Sequence, residues 1–135
     1  MKKDIIFPVV EGVKLAVTKS GSPVDKVWEV HIINDGDTNI DGVIVVSKGY
    51  GFNHAKNENQ TTSTLRHLLE TVPAKSTALI EPLYEDVLHL FNEYWVSYYI
   101  GRQIYDKKFI FVPESIVDDN FVYIPQLETE GILHG

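Results

Sequence analysis

The stretch VWEVHIIN, residues 27–34, alternates strictly: Trp28, Val30 and Ile32 fall on one side of an extended chain, Glu29 and His31 on the other. A period of two belongs to a strand with one buried face, because a helix would scatter those residues around its axis. The same period links Val13, Leu15 and Val17, ahead of the turn-forming TKSGSP, and runs through YWVSYYIG, residues 94–101. Val43–Val46 and Phe109–Val112 are apolar on both faces, and Thr77–Ile80 reads as a short strand after the breaker Pro73. Residues 63–70 have helical leucine spacing at Leu65, Leu68 and Leu69, but Thr61–Thr64 favours extended backbone, so a strand is expected. Leu83, Val87, Leu90 and Phe91 fit one or two helical turns. Residues 49–62 read as a polar loop, and a turn is expected near Tyr105-Asp106, ahead of KKFIFVP.

About seven short strands with one short helical turn predict an all-β protein, a two-sheet antiparallel sandwich. The 135 residues are enough for one such domain with its own core. We assign residues 1–114 to the sandwich. Residues 115–135 form a C-terminal tail whose FVYIPQL is apolar enough to dock on the domain or on a partner.

Charge and composition narrow the function. Twelve Lys and Arg against 19 Asp and Glu give a net charge of -7, which repels phosphate backbones. The densest basic runs, Lys2-Lys3 and Lys107-Lys108, are too short to overcome it, so nucleic acid is not an expected partner. Without cysteine there is no disulfide, thiolate metal site or cysteine nucleophile. The start MKKDIIFPVV has an apolar run too short for a signal peptide, and no stretch has the length of a membrane span. A cytoplasmic location is expected.

NDGDTNIDG, residues 34–42, looks most like a metal site, with Asp35, Asp37, Asn39 and Asp41 at alternate positions. Counted from Asp35, however, the position that needs Gly holds Ile40, and the position that needs a bidentate Glu holds Val46. A turn, joining Ile33 to Val43 as a hairpin, explains the same residues. SKGYGFNHAK completes no phosphate-loop spacing. The five histidines make no metal-ligand pair, and Glu81, Glu85, Asp86 and Glu93 are scattered around the expected helical turn. No catalytic residue, metal ligand or cofactor is assigned. An enzyme built on loop carboxylates is the minority reading.

The strand at 94–101 carries bulky residues on both faces: Tyr94, Val96, Tyr98 and Ile100 on one, Trp95 and Tyr99 on the other. A half-exposed strand would place polar groups on that second face. Trp95, Tyr99, Arg102, Phe109 and Phe111 are therefore the candidate interface or ligand-binding residues. Cover for them would come from the chain's own tail or from a second molecule.

YWVSYYIG, following a helical turn, resembles the sixth strand of immunoglobulin-like domains. That resemblance implies their sandwich architecture without the cysteines that pin the two sheets in antibodies. SKGYG, LIEP and EYWVSYYIG-x3-YDKKFIFVP also resemble a small family of uncharacterised bacterial proteins of about this length. Some of its members are labelled phenylalanyl-tRNA synthetase, which would imply an accessory role in translation. Aminoacylation itself needs a far longer chain with ATP-binding arginines, and here Arg66 and Arg102 are the only two. The expected function is a non-enzymatic module for protein association, with a homodimer as the leading form. The alternative is a small-molecule or carbohydrate binding domain using the aromatic face.

Overall fold

Leu15 and Val17 are sealed from water, as their alternation requires, on strand β1 (Val13–Lys19). Trp28, Val30 and Ile32 do the same on β2 (Val27–Asn34). The computed structural model describes residues 8–20 and 27–135. The start at MKKDIIF and the second half of the turn expected at TKSGSP lie outside those residues.

The remaining strands are β3 (Ile40–Asn53), β4 (Glu58–Thr61), β5 (Leu65–Val72), β6 (Ser76–Tyr84), β7 (Phe91–Ile100), β8 (Gln103–Phe111), β9 (Val122–Ile124) and β10 (Thr129–His134). They form two antiparallel sheets packed as a sandwich. The first has the order β6-β2-β1-β10-β9. In the second, β3 pairs β7, β7 pairs β8, and the other edge of β3 is shared between β4 and β5. Inward side chains of both sheets, including Leu15, Val30, Ile32, Val43, Val45, Tyr94, Val96, Tyr98 and Phe109, make one continuous core. Each such side chain contributes about 1.5–3 kcal/mol by leaving water.

Several expectations need correction. NDGDTNIDG is a turn, but it joins no hairpin: β2 and β3 belong to different sheets, and the segment carries the chain across the sandwich. The oxygen-bearing groups there point to separate partners. Asn34 bonds the carbonyls of Thr38, Val72 and Pro73, Asn39 accepts from the Ala74 amide, and Asp41 accepts from the Thr71 hydroxyl. Residues 49–62 are not an open loop. β3 runs on to Asn53 and returns as β4, with the Asn53 amide donating to Gln60. The β7–β8 turn is Gly101-Arg102, not Tyr105-Asp106, because Gly101 supplies the left-handed φ of 59° that a tight reversal needs. Helical structure before β7 shrinks to one 3-10 turn, Glu85–Val87, with Leu83 in β6 and Phe91 in β7. The Asn92 side chain ties that reversal by donating to the carbonyls of Val87 and Leu90. Two further 3-10 turns lie in the tail, at Asp118–Asn120 and Pro125–Leu127.

The tail does not reach the Trp95 face. Phe121 packs edge-on against Trp28, and β10 pairs with β1 from Leu15–His134 to Val17–Ile132. Ile124 and Leu127 then close over Ala16 and Ile33 on the outer side of the first sheet. No helix among the described residues is long and apolar enough to cross a membrane.

Candidate functional site

The pairing of β3, β7 and β8 fixes which side chains share the outer face of the second sheet. Val46 lies opposite Trp95, which lies opposite Lys108; Ile44, Ser97 and Asp106 form the next row. On the other edge Leu68 faces Ile44 and Arg66 faces Val46. Tyr50 and Phe91 stack with centroids 5.6 Å apart further along the same face. Trp95 is 43% exposed and Tyr99 44%, and Leu68 beside them is more exposed still.

Both key rings have a close neighbour on the same face. The Lys108 ammonium sits 4.7 Å from the Trp95 ring centroid, a cation–π contact that covers one face of the indole. Tyr99 lies over Gly42, where an added Cβ would come within 3.3 Å of its ring. Charges of both signs flank the apolar strip. Lys48 lies 3.8 Å from Glu93, and Arg66, Asp106 and Lys108 sit at the margins.

Of the five candidate residues, Trp95 and Tyr99 share this face, and Arg102 occupies the exposed turn at its end. Phe109 and Phe111 do not belong to it. They are 0% and 3% exposed and point into the core, where His134 of the tail packs edge-on against both rings. Phe109–Val112 is apolar on both faces, so its sequence does not say which side turns outward. With the strand starting at Gln103, the outward set on β8 is Ile104, Asp106, Lys108 and Ile110.

A second constellation escaped sequence reading. At the margin where β5 meets β6, the Glu81 carboxylate accepts from Ser47 Oγ at 2.7 Å, His67 Nε2 at 2.6 Å and the Tyr94 hydroxyl at 3.0 Å. Ser47, His67 and Tyr94 come from β3, β5 and β7, inward-facing positions far apart in the chain. Glu81 joins them because a bulge breaks the β2–β6 register between Val30 and His31. The only local signal was the lapse of alternation in LIEP. Burial, and then the carboxylate it donates to, push the Tyr94 hydroxyl pKa up, so it stays a donor throughout the working pH range. Among the described residues no group of three or more His, Asp or Glu side chains is arranged to hold a metal ion.

Comparison with protein-family models, curated proteins and solved structures gives no match. The site's own geometry carries the functional reading.

Proposed function

We propose that this chain is an immunoglobulin-like, cytoplasmic association module that self-associates through the outer face of its second sheet. One observation carries the reading: the two outer faces are treated differently. Ile124 and Leu127 cover the first sheet over Ala16 and Ile33, whereas the tail leaves Trp95, Tyr99 and Leu68 exposed. An apolar strip of that kind, bordered by charges, is the usual composition of a protein contact. The immunoglobulin-like assignment rests on strand order, with β2 crossing to β3, β6 crossing to β7, and β7 between β3 and β8. The lack of cysteine suits a reducing compartment.

A second copy is the partner that the charges favour. The row through Trp95 ends in Arg66 and Lys108, and the neighbouring row ends in Asp106. With Lys48 and Glu93 included, the face holds three basic and two acidic side chains. The face is therefore nearly balanced in charge although the molecule carries -7, so two copies meet there without the repulsion found elsewhere. The Lys108 ammonium already occupies one face of the Trp95 indole, which leaves less of that ring for stacking on a sugar.

The test is molar mass by light scattering at high micromolar concentration. Wild type is expected to be a dimer and Trp95→Glu a folded monomer with an unchanged circular dichroism spectrum, because a charge buried at the contact centre disfavours association. A monomeric wild type, or a dimer that survives the substitution, would overturn the reading.

A further inference from the structure

The interior of a sandwich needs no carboxylate, and burying one is costly unless its bonds are supplied. Here four strands bring polar groups to one spot at the edge of an otherwise apolar core: Ser47, His67, Glu81 and Tyr94. The spot is the floor of an open cleft of about 290 Å³ between the sheets. Leu65, Pro82, Leu83, Tyr84 and Val87 supply its apolar walls, and Lys48, Thr62, Ser63 and Asn92 its polar ones. Leu65 and Tyr84 stand half-exposed at the mouth, and Leu83 is buried behind them.

The chemistry of the missing occupant follows from counting bonds. An ionised carboxylate offers about four acceptor positions. Three are filled, two on Oε1 by Ser47 and His67 and one on Oε2 by Tyr94. His67 donates through Nε2–H to the same oxygen that Ser47 bonds, so Oε2 is left with one partner, the Tyr94 hydroxyl. Among the other polar wall residues, Thr62 donates to the Ser63 carbonyl and Asn92 to those of Val87 and Leu90, and Ser63 adds a neutral hydroxyl. Lys48, which also lines the cleft, directs its ammonium to Glu93, 3.8 Å away. What the cleft offers is an acceptor carrying negative charge at the base of an apolar slot. The overall charge of -7 adds attraction for cations at longer range.

We propose that the cleft at the β5–β6 margin binds a small monocation with an apolar body, its ammonium held by the open acceptor position on Glu81 Oε2. The volume is at the small end of ligand cavities and suits a body of about one ring. This site lies between the sheets, separate from the outer face assigned to association, and does not depend on that assignment.

Three probes of one size separate the possibilities: phenethylammonium, phenethyl alcohol and 3-phenylpropionate, each at millimolar concentration with the full chain. Phenethylammonium is expected to raise the melting temperature and to shift the His67 imidazole resonances, because a ligand of the folded state stabilises it. The carboxylate should do neither, and the alcohol should bind more weakly than the ammonium. Glu81→Gln, which keeps size and an acceptor oxygen, should lose affinity by about tenfold or more, as loss of a charge-assisted bond requires. Leu65→Trp should block the mouth while leaving the four polar groups intact. It decides the matter alone if Glu81→Gln fails to fold. No response to phenethylammonium, an equal response to 3-phenylpropionate, or unchanged affinity in Leu65→Trp overturns the proposal.

Discussion

The Asn34 side chain ties three parts of the chain together. Its buried amide donates to the carbonyls of Thr38, Val72 and Pro73 at 2.9–3.1 Å, and its oxygen accepts from the Gly36 amide. The bonds join the end of β2, the crossover loop and the end of β5, which belong to different sheets. Truncation leaves buried carbonyls without donors, so Asn34→Ala should cost about 2–3 kcal/mol. Asn34→Asp should cost more, since a carboxylate would face three carbonyl oxygens and has no hydrogen to give them. Urea unfolding of both variants checks the order; an aspartate variant as stable as wild type would contradict it.

Among elements, legibility in the sequence followed the purity of the alternation. β1, β2 and the centre of β7 each carry their inward apolar residues at alternate positions, so their period named both the strand and its inward residues, although the tail also covers Ala16 and Ile33 on the outer side. The full length of β3 was hidden because its first half is apolar on both faces and its second half is rich in glycine. The start of β8 was misplaced because Tyr105-Asp106 imitates a turn, and Phe109 and Phe111 went to the wrong side because Phe109–Val112 is apolar on both faces. Trp95 and Tyr99 were readable from parity within one strand. The Glu81 cluster was not, since it exists only when four strands and a bulge come together. The seam between β1 and β10 was equally invisible, and it hinges on one residue. A Cβ on Gly131 would stand 2.5 Å from the Val17 carbonyl oxygen and 3.0 Å from Thr18 Cγ2. Gly131→Ala should therefore push β10 away from β1, cost about 1–3 kcal/mol, and speed amide hydrogen exchange at Ile132. Exchange unchanged at Ile132 would show that the strands can move apart without loss.

For the molecule as a whole, two histidines set a pH dependence. Burial lowers the pKa of His31, partly opposed by the Glu29 carboxylate, and lowers that of His134, helped by the Lys107 ammonium. His31 is bonded to the Thr18 hydroxyl, and His134 is wedged against Phe109 and Phe111. In the unfolded chain both would titrate near 6.5, so as pH falls through that value the unfolded state takes up protons first. Their contribution to stability is flat above about pH 7 and declines below about pH 6.5, with the loss complete only beneath the lowered folded values. Urea midpoints measured across this range should fall on the acid side, and His134→Phe, which keeps an aromatic edge against the two rings, should flatten the decline. An equally steep decline in that variant would assign the effect to other groups.

The pairing of Leu15 with His134 also sets a timetable for synthesis. β1 receives its second neighbour only after the ribosome has passed residue 134 and released it from the exit tunnel. Until then a nascent chain can assemble β2, β3 and β7 but must keep one edge of β1 unpaired, with Ala16 and Ile33 still waiting for Ile124 and Leu127. Closure so late and so distant in sequence makes for slow folding. It leaves the growing chain most dependent on chaperone protection just before it is complete to that point.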